Sequence, residues 1–447
     1  MTRGSSARSL LDTLGLELGR ELTGRFIVAF SGGIDSHVLL HLVATVLGAG
    51  KDRLLAIHVD HGLNEESAQW SRHCLSVASG LGIDATVLRV DAGLPRGESL
   101  ESWARRHRYR LLKTVMMPDD IVMTAHHRED LAETLLLQLL RGAGPHGLAS
   151  IPERQSFGPG FLLRPLLNVS RAALEGYAAA NGLRWVEDPT NATDRHDRNY
   201  VRHRVLPVIE ERWPAVTARI AHAVALQQEA AACLDSVADE ILDRSISTDG
   251  ARLPVAAFSA KSGEMARWVL RRWIVRAGFP IPDAVHLREM GQIFRARQDR
   301  QPCVTWKGAE MRRYRDRLYL LWSRKPPDKE REYSWDLRSP LKLPTGVLSA
   351  ETSMALGLRA TLAAENEIVV RFRGGGERCH PVGRSHSQSL KRLFQEWGVP
   401  TWQRAEVPLV MVGAEVAAVA GLCVSREFVS PPGEPGWTLH WLPNEIQ

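Results

Sequence analysis

The sequence predicts an α/β protein: a doubly wound, Rossmann-like parallel sheet, then a helical middle domain and a small α+β C-terminal domain. Three observations predict it. Through the first half, short apolar runs alternate with stretches of helical period, the pattern of parallel strands joined by crossover helices. Polar clusters rich in Gly, His and Asp sit where those runs end, which is where open α/β sheets bind ligands. Beyond about Pro214 the alternation stops. The 447 residues are too many for one ordinary domain, and these breaks divide them into 1–214, 215–335 and 336–447.

In chain order, residues 1–24 mix acidic and basic side chains through a Leu-rich stretch and read as an amphipathic helix rather than a signal peptide. Residues 26–30 are a short buried strand. Ser31, Gly32, Gly33, Ile34, Asp35 and Ser36 then form a polar turn with paired glycines, and from His37 the residues Val38, Leu39, Leu40, Leu42 and Val43 read as a helix. Strand, glycine turn and helix N-terminus together make an anion site, because unpaired N–H groups and the helix dipole point at one spot. No Gly-Lys-Ser/Thr follows the loop, and no GxGxxG is present.

A second strand over 54–59 ends in Asp60-His61-Gly62-Leu63, and a helix closes at Leu81. A third strand spans 85–90, a basic helix 98–113, and a fourth strand 121–125 that ends in His126-His127. A helix over 129–141 follows, with Asp130 and Glu133 spaced i, i+3 on one face near its start. Two carboxylates so placed can bind Mg²⁺ or an ammonium group; they also suit an ordinary acidic first turn that complements the helix dipole.

Composition bounds the partners. The chain is 44% apolar and 24% charged, with no apolar run of 18 residues to span a membrane. Five cysteines lie far apart without a CxxC, which points to a reducing cytoplasm and away from zinc or an iron–sulfur cluster. The net charge is +6, and only eight of 57 basic residues are Lys. An Arg-rich surface suits phosphate; an Arg-favouring genome gives the same composition.

The loop Ser31–Ser36 resembles the SGGxDS pyrophosphate loop of the N-type ATP pyrophosphatases, which split ATP between the α and β phosphates and adenylate a substrate oxygen. HVDHGLN (58–64), ESWARRHRY (101–109), TAHHREDLAETLLLQLLRGAGPHGL (124–148), RPLLNVSR (164–171), EDPTN (187–191) and RNYVRHRVLP (198–207) resemble successive motifs of the tRNA(Ile)-lysidine synthetases. The resemblance departs at Glu129, where that family usually has Asp. It implies ATP and Mg²⁺ as cofactors and a CAU-anticodon tRNA(Ile) and L-lysine as partners. Lysine joins C2 of the wobble cytidine, position 34, after O2 is adenylated.

By the same resemblance Ser31, Gly32, Gly33, Ile34, Asp35, Ser36, His58, Asp60 and His126 bind the nucleotide. Asp35, Arg105, Asp130 and Glu133 carry the chemistry, with Asp35 and Asp130 on the metal. Glu133 is expected to bind the lysine ammonium and accept its proton. His126 and His127 contact phosphate or cap the strand end. Arg141 is expected near tRNA, and Asp188, Asn191, Arg198 and Asn199 either bind anticodon nucleotides or cap the next helix.

In the middle, a long helix over 215–244 and a second one carrying Arg267, Arg271, Arg272 and Arg276 around Leu270, Trp273 and Ile274 offer either a tRNA face or a solvated basic one. Short strands near 303–306 and 318–322 close that unit. Residues 324–346 read as a linker. Strand 367–372, an Arg-Gly-rich loop, a helix with Leu390, Leu393, Phe394 and Trp397 on one face, and two strands over 408–412 and 415–420 end the chain. Two other functions remain open from sequence: a tRNA thiolase of the same superfamily, which the missing CxxC disfavours, and a tRNA-binding module without catalysis.

Overall fold

The computed structural model describes residues 24–63, 66–93, 99–188, 193–194, 196–245, 247, 250–259, 263–294, 301–354, 356–365 and 367–444. The helix expected over 1–24 lies outside them apart from Gly24, and so does Asn191. The chain forms two compact units, 1–234 and 235–447.

The first unit is built on β1 (Phe26–Ala29), β2 (Leu54–Asp60), β3 (Asp84–Arg89), β4 (Ile121–Met123), β5 (Arg154–Phe157) and β6 (Gly160–Leu163), in the order β3-β2-β1-β4-β6-β5. β1 pairs in parallel on both sides, Phe26 facing Leu54 and Ile121. It is a central strand because Phe26, Ile27 and Val28 have no polar side and are all at most 1% exposed. Helices α1 (Ile34–Leu47), α2 (Ser67–Gly80) and α5 (Arg171–Ala180) contribute to one core with Val38, Leu39, Cys74 and Leu174. Helix α3 (Leu100–Thr114) packs on a separate cluster with Ile27, Ile57 and Leu112. The chain runs β1 to β3 toward one edge, then crosses back to place β4 on the other side of β1. That reversal opens a crevice at the carboxyl ends of β1 and β4.

The parallel order agrees with expectation, with one addition. β5 pairs antiparallel to β6 and closes the edge as a hairpin; the run RQSFGPGFLL is too short and Gly-rich to show a strand period. Helix α4 (Arg128–Leu140) follows β4, and residues 197–212 are helical with a single π turn at Val201–Val205.

Helix α6 (Val216–Asp243) begins in the first unit and ends in the second. Val224, 1% exposed, packs with Leu131, Ile151 and Leu167. The compact first unit thus extends to Leu234, beyond the boundary expected at 214.

In the second unit, α7 (Gly263–Arg276) buries Leu270, Trp273 and Ile274 completely, as its period requires. Helix α8 (Ala284–Ile293) joins it over an antiparallel sheet ordered β7-β10-β9-β8, formed by Arg252–Pro254, Cys303–Trp306, Ala309–Tyr314 and Arg317–Trp322. The expected linker is partly structural: β11 (Tyr333–Ser334) pairs with β15 (Ile368–Arg371), and Trp335 and Leu337 are buried. Two apolar residues among Pro and charges were too sparse to give a period.

Among the described residues the C-terminal part has two larger sheets, one of five strands that includes β11 and β15 and one of four strands, beside a two-stranded pair of Arg378–Cys379 with Gln388–Ser389. The chain does not end on strands 408–412 and 415–420, observed as β18 (Leu409–Val412) and β19 (Glu415–Val419). A further strand, Gly436–Pro443, pairs with Gly346–Ser353 along its whole length. Between these, α9 (Leu390–Glu396) buries Leu390, Leu393 and Phe394. Among the described residues no helix is long and apolar enough to cross a membrane.

Candidate active site

The loop after β1 is held from within. Ser36 Oγ donates to the Gly33 carbonyl at 3.0 Å and lies 3.0 Å from Ser31 Oγ, so the two hydroxyls close the turn. Gly32 has φ +87°, and a Cβ there would meet Cys74 Sγ at 3.0 Å; the position needs glycine on both counts. Gly33 begins α1 with no side chain capping it, leaving first-turn N–H groups for a ligand. From the side, the Val186 N–H donates to the Gly32 carbonyl at 3.0 Å, and His37 Nδ1 meets the Arg184 carbonyl at 2.8 Å.

Asp35 stands in the first turn of α1. Its Oδ1 is buried with no hydrogen-bond partner, and burial raises its pKa against the pull of His127 and Arg171. Oδ2 lies 3.8 Å from His127 Nε2 and 3.8 Å from an Arg171 guanidinium nitrogen. A desolvated carboxylate with a free oxygen beside an open helix N-terminus suits a cation carried in with phosphate. Among the described residues no three His, Cys, Asp or Glu form a metal cage.

Asp130 and Glu133 share a face of α4, as their spacing requires, and point into one arginine cluster. Arg198 Nε donates to Glu133 Oε2 at 2.6 Å and its Nη2 to Asp130 Oδ1 at 2.7 Å. Arg202, in the π turn, donates from Nε to Glu133 Oε1 at 2.6 Å. The remaining Asp130 oxygen accepts the His127 backbone N–H at 2.9 Å. Burial disfavours the Asp130 charge, but His127 and Arg198 hold its pKa down at about 2. Asp130 thus accepts at both oxygens, and Glu133, wholly buried, has both oxygens on guanidinium.

His127 stands between Asp35, Glu129 and Asp130. Its ring is 1% exposed, with Nδ1 2.8 Å from Glu129 Oε2 and Nε2 3.5 Å from Asp130. Burial opposes its protonation, and Glu129, Asp130 and Asp35 together raise its pKa. His126 goes the other way. Burial, with Arg105, Arg164 and Arg198 nearby, pushes it down to about 3 against Asp130, and Nδ1 meets Thr124 Oγ1 at 2.8 Å. Arg105 stacks its guanidinium 5.0 Å from the Tyr109 ring.

At the end of β2 stand two of the residues expected to bind the nucleotide. His58 is 7% exposed beneath the loop, with Nδ1 3.0 Å from the Phe30 carbonyl and 3.4 Å from Cys74 Sγ. Asp60 Oδ1 accepts the Gly62 N–H at 2.9 Å. The ring with unspent hydrogen bonds there is His61, both of whose nitrogens are buried without a partner beside Trp103. Position at a strand end was the only sequence signal for it. Of the residues expected near tRNA, Asn199 bonds the Thr193 carbonyl and Arg198 belongs to the carboxylate cluster.

Comparison with known proteins agrees with this geometry. A PP-loop domain matches residues 9–209, a TilS substrate binding domain 253–319 and a TilS substrate C-terminal domain 368–441. The tRNA(Ile)-lysidine synthase of Coxiella burnetii is 39% identical over 421 residues, 94% of this chain and 93% of the relative. That of Alkalilimnicola ehrlichii is 40% identical over 413 residues, 91% of this chain and 92% of the relative. That of Methylococcus capsulatus is 39% identical over 424 residues, 93% and 96% of the two chains. With a glycine loop and its half-buried carboxylate at the β1–β4 crevice, and identity of this level over nearly the whole length, the chain belongs to the tRNA(Ile)-lysidine synthase family.

Proposed function

We propose that the chain joins L-lysine to C2 of the wobble cytidine, position 34, of a CAU-anticodon tRNA(Ile), giving lysidine, AMP and pyrophosphate and changing codon reading from AUG to AUA. The observation that carries this reading is Asp35: a half-buried carboxylate with one buried, unpartnered oxygen, set beside an uncapped helix N-terminus and an Asp130–Glu133 pair.

The chemical problem is that O2 of cytosine is a poor leaving group. Transfer of AMP onto O2, with loss of pyrophosphate, turns it into a good one, and attack of the lysine amine at C2 then expels AMP. Ser31, Gly32, Gly33, Ile34 and Ser36 cradle the phosphates through backbone N–H groups and hydroxyls. Mg²⁺, when bound, supplies charge neutralisation across the phosphates, and Asp35 holds it. Arg171 and His127 flank Asp35 and add positive charge where negative charge gathers. Arg105 is assigned to phosphate or substrate.

Asp130 and Glu133 are the cation-recognising pair to which the lysine ε-ammonium is directed. Arg198 and Arg202 sit on them, so lysine entry has the partly exposed Arg198 turn aside. The basic second unit, together with Arg141, supplies tRNA affinity, and no membrane is involved. A soluble cytoplasmic setting follows from that substrate.

The test is mass spectrometry of nucleosides from CAU-anticodon tRNA(Ile) after incubation with ATP and lysine. The cytidine at position 34 should gain the mass of lysine less water, and only when both small molecules are present. Unmodified cytidine, or a gain that ignores lysine, overturns the reading.

A further inference from the structure

Glu129 ties two elements of the site together. Glu129 lies in the first turn of α4, and a single oxygen, Oε2, accepts from two groups that belong to different elements. One is His127 Nδ1 at 2.8 Å, in the loop after β4; the other is the backbone N–H of Arg171 at 2.9 Å, the first residue of α5. Those two residues place the His127 ring and the Arg171 guanidinium 3.8 Å from Asp35 Oδ2. The same loop is tied once more to the start of α5, where the Arg128 N–H donates to the Val169 carbonyl at 3.0 Å.

We propose that Glu129 is a positioning residue of the ATP site, locking the loop after β4 to the N-terminus of α5 so that His127 and Arg171 are both held against Asp35. The proposal rests on the assignment of Asp35 to MgATP. The Glu129 side chain bonds His127 and the Arg171 N–H. It acts as outer-shell partners of metal-site ligands do, by fixing the orientation of what the ligand sees. An aspartate is one methylene shorter, so Glu129→Asp should loosen the bridge between His127 and the Arg171 N–H.

The test is calorimetric titration of the full chain with MgATP, without tRNA or lysine, for Glu129→Gln, Glu129→Asp, His127→Gln and the Glu129→Gln/His127→Gln double variant. Asp35→Ala is the reference, and a melting curve is taken for each. Glu129→Gln and His127→Gln should each weaken MgATP about tenfold or more. The double variant should be no weaker than the worse single one, because both break the same connection. Glu129→Asp should fall between wild type and Glu129→Gln, and it carries the test alone if the glutamine variant does not fold. A role confined to stability would lower the melting temperature and leave MgATP affinity untouched. Wild-type affinity in Glu129→Gln or Glu129→Asp, or fully additive losses in the double variant, overturns the proposal. If Asp35→Ala itself binds MgATP normally, the assignment of Asp35 falls and this proposal falls with it, a result distinct from loss in Asp35→Ala alone.

Discussion

Asp35 is the residue at which burial and function pull in opposite directions. A carboxylate with a buried, unpartnered oxygen costs stability unless something else fills its lone pairs, and raised proton affinity is the sign of that cost. Asp35→Ala should therefore keep the fold, since no core contact is lost, while adenylation falls by ~10²–10³ or more, as expected for one preorganised electrostatic group. AMP release with tRNA present reads it, and near-normal release would refute the assignment. The second residue-scale prediction concerns the amine proton. A lysine amine near pKa 10.4 is almost wholly protonated at neutral pH, and the structure supplies no good acceptor among the groups whose shifts are large. Asp130 at about 2 and His126 at about 3 stay unprotonated throughout pH 6–9. The free-amine fraction grows with pH while these two groups do not change. Single-turnover lysine transfer from preformed adenylated tRNA should then rise by about tenfold per unit between pH 7 and 9. A flat profile would point to an internal base. The sequence made the glycine loop and the carboxylate pair legible because local spacing defines them. It did not show His127, Arg171 and Arg202 closing on them, because those contacts join residues up to 136 positions apart.

At the scale of elements, the period of α7 gave its core face and left its charges ambiguous. The structure resolves two of them inward. Arg272 donates to Asp239 at 2.9 and 2.7 Å, and Arg276 pairs with Asp239 at 3.1 Å and Asp243 at 2.7 Å, all on α6. These arginines act as a ladder between two helices more than as a nucleic-acid surface. No sequence spacing reveals such a ladder, since its rungs lie 33 to 37 positions apart. Arg272→Ala and Arg276→Ala should leave tRNA affinity within about twofold. Each should lower the stability of the second unit by about 0.5–1 kcal/mol, as half-exposed pairs do. Filter binding against a melting curve separates the two effects, and a tenfold loss of tRNA binding at full stability would return these residues to the interface. Strands buried on both faces were legible as apolar runs. The β5–β6 hairpin and the pairing of Tyr333–Ser334 were not, because two to four residues carry no period.

At the scale of the whole molecule, the division of labour can be tested only by cutting the chain where its contacts allow. The change of pattern near Pro214 marks the end of α/β alternation, not the end of the packed unit. Val224 fills a cluster with Leu131, Ile151 and Leu167, and Gln228 Nε2 donates to the Ala149 and Ile151 carbonyls at 2.9 and 3.3 Å. A fragment ending at 214 loses these contacts. For Val224 alone that forfeits about 1.5–3 kcal/mol of burial, and it uncovers Leu131, which stands on the same helix as Asp130 and Glu133. A fragment ending at Leu234 keeps every one of them. Residues 1–234 should therefore bind MgATP as the full chain does, whereas residues 1–214 should melt lower or aggregate. If tRNA affinity comes from the second unit, 1–234 should bind tRNA far more weakly than the full chain. The full chain's binding should in turn fall by orders of magnitude between roughly 50 and 200 mM salt, because each phosphate contact releases counterions. Retention of tRNA affinity by 1–234, or a salt response near zero, would place recognition in the catalytic unit instead. The longer fragment is decisive because its loss of tRNA binding cannot be blamed on a damaged ATP site.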